Sequence, residues 1–159
     1  MAIEDTFNGA KMAYTSFFAY FNTVAKEIGM ERALALITKT DEATGAEAGK
    51  MIKEEAGVEE LDAKAAASLA NNFTEGLGII EEAVEESPQK VVINVGRCPL
   101  YEAAQEVGLD TETIETLCRA GALRFMDTMV KQLNPNLSYQ LIKFRSAADD
   151  FCEEAIVLG

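Results

Sequence analysis

The 159 residues, 48% hydrophobic and 26% charged, suit one globular domain with a real core and are too apolar for a disordered chain. A formal charge of −13, from 27 acidic and 14 basic residues with no basic cluster, repels phosphate backbones and anionic headgroups, so nucleic acid is not an expected partner. No apolar run approaches the roughly 20 residues of a membrane span, and the start Met1-Ala2-Ile3-Glu4-Asp5 is no secretory leader, so the expected location is the cytoplasm, away from membranes.

Phe7, Tyr14, Phe21 and Ile28, with Ala10, Phe17 and Val24 between them, predict an amphipathic helix over about 5–28 that stops at Gly29. An aromatic stripe of this kind is usually core, and it can also line a ligand pocket. A second helix is expected over about 30–56, with a break near Thr44-Gly45; Gly45, Ala46, Ala48 and Gly49 are small enough for close packing. A third spans about 62–77 with Ala66, Leu69, Phe73 and Leu77 inward. The pattern then changes. Residues 79–86, the turn Ser87-Pro88-Gln89-Lys90 and the run Val91–Val95 read as two strands, the first an exposed acidic edge or partly helical. Pro99 fits the first position of a short helix to Val107. Asp110 or Thr111 caps a longer helix to about Leu133, which Asn134-Pro135 ends. Two further strands, about 138–145 and 151–158, are linked by Ala147-Ala148-Asp149-Asp150. This order predicts a single α+β domain: an antiparallel sheet of about four strands covered by helices, with a helical N-terminal half.

With no histidine in the chain, Ser-His-Asp and Cys-His catalysis are excluded. Attention falls on Cys98, Cys118 and Cys152, an odd and widely spaced set unsuited to a disulfide framework. Cys98 lies at a strand-to-helix junction beside Arg97, where backbone N–H groups and the helix dipole favour a thiolate. It reads as a nucleophile, an anion-binding corner or a metal ligand, or else as a small packed residue. Cys118 shares a helical face with Ile114, Leu117, Gly121, Phe125 and Met129, which is a core position unless that face lines a pocket. Asp127 points the other way and has Arg124 and Lys131 as ion-pair neighbours. In a hairpin, Arg145 would oppose Cys152 and Lys143 would oppose Glu154. Three thiolates with an aspartate are also a possible Zn²⁺ set, although no CxxC pair occurs.

Arg97-Cys98-Pro99, Cys118, Asp127, Asn134-Pro135 and Asp150-Phe151-Cys152-Glu153 together resemble the C-terminal pattern of the L-2-amino-thiazoline-4-carboxylic acid hydrolase-like family, over about 94–158. The resemblance implies a hydrolase of C–N bonds other than peptide bonds, acting on a small cyclic thiazoline-like C=N substrate. It implies Cys98 and Asp127 as catalytic residues, with Arg97, Cys118, Cys152, Arg145 and Phe125 around the ligand. A divalent metal such as Zn²⁺ would fall to Cys98, Cys118 and Cys152. The chain is also similar to vinyl-reductase-type ligand-binding domains, in which Tyr14, Phe17, Phe21, Phe125 and Met129 would enclose an apolar or tetrapyrrole-like ligand without catalysis. A third reading packs the aromatic stripe of the first helix against a second copy, as a homo-oligomer.

Overall fold

The computed structural model describes residues 2–159. Helix α1 (Ile3–Ile28) and helix α2 (Met30–Ala56) are joined at Gly29, whose φ of 91° favours glycine. Helix α3 (Ala63–Glu75) begins at Asp62, whose side chain accepts the Ala65 N–H at 2.8 Å. Strands β1 (Glu81–Glu86) and β2 (Lys90–Val95) follow, then helices α4 (Pro99–Glu106), α5 (Thr111–Ala120) and α6 (Ala122–Leu133), then strands β3 (Leu137–Lys143) and β4 (Cys152–Leu158). The sheet is antiparallel throughout in the order β1-β2-β4-β3, so the last strand fills a central slot. Among the described residues no helix is long and apolar enough to cross a membrane.

The core has two parts. Val91, Ile93 and Val95 of β2, Leu137 and Tyr139 of β3, and Ile156 of β4 turn one sheet face toward α3 and α6. A second cluster joins Phe18, Phe21 and Ala25 of α1 to Tyr101 and Ala104 of α4 and to Ile114 and Leu117 of α5. The predicted α+β arrangement is the one observed.

Several local expectations are corrected. α2 runs unbroken through Thr44-Gly45. Gly45 and Gly49 serve close packing instead: a Cβ on Gly45 would lie 2.4 Å from the Phe125 carbonyl oxygen, and one on Gly49 2.5 Å from that of Met129. The helix expected from Asp110 to Leu133 is two, α5 and α6, because Gly121 leaves helical geometry with φ −116° and ψ −91°. The stripe of α1 is carried by Phe7, Phe18 and Phe21, while Phe17 stands 42% exposed at its margin. β3 and β4 are separated by eight residues rather than four, and a register shift sets Lys143 opposite Glu153 and Leu141 opposite Glu154. Glu154 therefore faces inward, not toward Lys143.

Gly45→Ala is expected to lower stability by about 1–3 kcal/mol through overpacking against α6. Gly9→Ala, on the exposed side of α1 with nothing within 4 Å, should raise stability by about 0.5–1 kcal/mol. Urea denaturation of the two variants beside the parent protein checks both signs.

Candidate functional site

A cavity of about 270 Å³ lies between the inner sheet face and the helices. Most of its wall is apolar, with Phe17 and Phe18 from α1, Phe73 from α3 and Phe125 from α6. Into this setting the fold brings a few polar groups from separate elements: the three thiols, Arg145, Tyr139, Glu154, Glu81 and Asp41.

The floor follows from strand register. Alternation along β4 turns Cys152, Glu154 and Ile156 to one face. Cys152 is the partner of Val95, which in turn pairs with Glu81, while Glu154 lies between Ile93 and Leu141. The Tyr139 hydroxyl donates to the Glu154 carboxylate. Glu154 keeps some solvent contact through the cavity but is enclosed by protein, and burial pushes its carboxyl up to about 7 against the pull of Tyr139. Burial, then the charge of Glu154, drives Tyr139 well above its usual range, so it stays a donor. Burial also raises Glu81, with the nearby Thr74 pulling the other way.

Arg145, only 2% exposed, anchors one end of the floor. Its Nη2 donates to the carbonyls of Val95 (3.1 Å) and Gly96 (2.7 Å), its Nη1 to that of Asp150 (3.1 Å), and its Nε to the Cys152 sulfur (3.3 Å). The Tyr101 ring lies under the guanidinium, 5.5 Å from its centroid. Among the described residues no carboxylate forms an ion pair with it. The sequence expectation that Arg145 meets Cys152 holds as a side-chain contact, although Arg145 lies beyond the end of β3.

Cys98 is the residue before α4, as the sequence suggests, and all three cysteines are free. Its thiol faces the Tyr101 and Leu100 N–H groups without closing a full cap. Burial pushes the thiol up and outweighs those N–H groups and Arg145, which pull it down. Cys118 is driven well up by burial, then by Cys98 and Cys152. The expected activation of Cys98 by its helix start is thus overridden by desolvation. Among the described residues no three His, Cys, Asp or Glu side chains come close enough to hold a metal ion. The cysteines share a cavity without forming a ligand set for Zn²⁺.

Two of the expected site residues lie elsewhere. Asp127 accepts from Lys131 Nζ at 2.6 Å and from the Tyr139 backbone N–H at 2.9 Å, so it ties α6 to β3 from outside the cavity. Arg124, its other expected neighbour, lies 3.9 Å from Glu42 instead. Arg97 is exposed, pairs with Glu102 at 2.9 Å and covers the Phe7 ring at 4.2 Å. Phe125, Cys118, Cys152 and Arg145 do line the cavity, with Cys98. Sequence reasoning missed Glu154, Glu81 and Asp41. The alternation Cys152-x-Glu154 was the available signal for the first of them.

Residues 9–153 match the family described as L-2-amino-thiazoline-4-carboxylic acid hydrolase, so the likeness reaches well beyond the C-terminal half. The name given to that family is that of a hydrolase. No curated protein matches the chain.

A carboxyl raised by burial stabilises the fold while protonated. That contribution is full below the unfolded value near 4.5 and is lost as pH rises through about 7. Relative to Glu154→Gln, the parent protein should lose about 2 kcal/mol between these limits, less than the full shift because the group keeps some solvent contact. Urea midpoints at pH 4.5 and 8 measure this difference, and equal pH slopes for the two proteins would contradict it.

Proposed function

The chain belongs to the L-2-amino-thiazoline-4-carboxylic acid hydrolase family, and from that premise we propose that it hydrolyses a small cyclic C=N substrate of the thiazoline kind. The observation that carries this reading is a carboxyl poised near neutrality, Glu154, facing the three thiols and Arg145 across one cavity. Size supports it. A cavity of about 150 Å³ holds benzene, so about 270 Å³ holds roughly ten non-hydrogen atoms, the scale of one five-membered ring with a carboxylate and an amino group. A tetrapyrrole is several times larger, which favours the hydrolase over the tetrapyrrole-binding alternative.

Adding water to the C=N carbon requires a base for the water and an acid for the ring heteroatom. Glu154 can do both, since near neutrality it is found in either protonation state. In its ionised form it takes a proton as the water oxygen bonds to the ring carbon and the C=N electron pair passes to nitrogen. It returns that proton to the ring nitrogen, then takes the hydroxyl proton and hands it to the ring sulfur as the C–S bond breaks and the carbonyl forms, so both hydrogens of the water are placed. The sum is one water consumed and a carbamoyl product. Tyr139 holds the carboxylate through its hydroxyl and steadies the ionised form. The proton role expected of Asp127 passes to Glu154, because Asp127 is engaged outside the cavity. Cys98 borders the reacting ring as a protonated thiol, with water rather than sulfur as the attacking group.

The purified chain should convert L-2-amino-thiazoline-4-carboxylate to carbamoyl-cysteine, followed by chromatography. Glu154→Gln should lower kcat by roughly 100- to 10,000-fold, while Cys98→Ser keeps most of the rate. No turnover by the parent protein, or full activity in Glu154→Gln, would sink the reading. An inactive Cys98→Ser beside an active Glu154→Gln would move the attack to sulfur.

A further inference from the structure

The cavity holds two charged groups on different walls, neither of which has an ion-pair partner among the described residues. On the sheet side is Arg145, buried and held by carbonyls and a thiol but by no acid. On the helix side is Asp41 of α2, a half-buried carboxylate that makes no side-chain hydrogen bond or ion pair among the described residues. Burial alone raises its carboxyl. Of the other two carboxyls of the cavity, Glu154 accepts from Tyr139, while the Thr74 hydroxyl near Glu81 donates to the Ala70 and Asn71 carbonyls.

The local fold is arranged around Asp41. Where α5 ends, a Cβ on Gly121 would lie 2.6 Å from Asp41 Oδ2 and 2.8 Å from Ile37 Cγ2, so only glycine leaves the carboxylate its place. The carbonyl of Ala120, beside that break, is taken up by Thr38 Oγ1 of α2 at 2.6 Å. A half-buried carboxylate without a partner costs stability, as does a buried guanidinium without an acid. A ligand carrying both signs removes both costs at once.

We propose that the cavity selects zwitterions, with Arg145 receiving the carboxylate of the ligand and Asp41 its protonated amidine or amine. For the ring substrate this rests on the hydrolase reading above and deepens it. Asp41 then favours the protonated C=N group, whose carbon accepts the electron pair of water more readily, and Arg145 orients the ring from the other end. Asp41 and Arg145 are binding and positioning residues, while Glu154 moves the proton.

The test needs no hydrolysis. The full chain is titrated calorimetrically with three ring compounds of one size: proline with both charges, cyclopentanecarboxylate with the negative charge, and pyrrolidine with the positive one. Proline should bind about tenfold tighter than either single-charge ring. Asp41→Asn should bring proline down to the affinity of cyclopentanecarboxylate and leave the latter unchanged. Arg145→Lys, which also loosens the fastening of β4, should weaken both carboxylates by a larger factor than it weakens pyrrolidine, and an equal loss for all three rings would count against the assigned role. Equal affinities, an undiminished preference for proline in Asp41→Asn, or no binding of any ring would overturn the inference. Turnover of the thiazoline with a flat charge series would sink this inference alone, and the converse result would sink only the hydrolase reading.

Discussion

The guanidinium of Arg145 is the fastening on which the site depends. Burying a cation costs several kcal/mol, and it is tolerated here because three carbonyls and a sulfur accept from it in the plane of its donors. Charge-assisted hydrogen bonds of this kind contribute about 1.5–3 kcal/mol each. Their acceptors come from the end of β2, the residue after it, the β3–β4 connection and the first residue of β4. One side chain thus fixes where β4 enters between its neighbours, and with it the face onto which Cys152 and Glu154 project. A lysine could not span these acceptors, having one donor group at a single point.

That register then sets the electrostatics. One position earlier on β4, Glu153 stands opposite Lys143 in the strand register at the sheet margin, where the Lys143 ammonium pairs with Asp150 at 2.8 Å. At Glu154 the carboxyl turns inward against Ile93 and Leu141, where desolvation and the neighbouring Glu81 hold its proton on to near neutrality. The same low-polarity wall that raises the carboxyl also raises the thiols. One environment therefore brings an acid up into a useful range and takes Cys98 and Cys118 away from theirs. A cavity lined by three thiols therefore favours carboxyl chemistry.

Much of the fold was legible in the sequence. Helix boundaries followed from Gly29, Asp62, Pro99 and Asp110, each of which acts locally, and the antiparallel sheet followed from alternation and turn residues. The site was only partly legible. Cys98, Cys118 and Cys152 could be singled out because thiols are few, and the meeting of Arg145 with Cys152 was within reach of a hairpin argument. Glu154 was lost to a register error, since eight residues rather than four join β3 to β4. Asp127 was favoured because family likeness placed a carboxylate there, yet its partners, Lys131 on the same helix and the Tyr139 N–H across the layer, make it a fastening between α6 and β3. A tertiary contact of that kind leaves no periodic trace.

The remaining failure is the most instructive. Continuous helical periodicity across Ile114, Leu117, Cys118, Gly121 and Phe125 argued for one long helix, and nothing local contradicted it, because glycine is tolerated inside helices at a cost of about 1 kcal/mol. At the break, α2 approaches so closely that Asp41 and Ile37 occupy the space a side chain on Gly121 would need. Pattern reasoning sees each helix alone, so a conformation imposed by a neighbour is invisible to it. Places where local preference is overruled tend to be functional, and this one brings the unpaired carboxylate of Asp41 to the cavity wall facing Arg145.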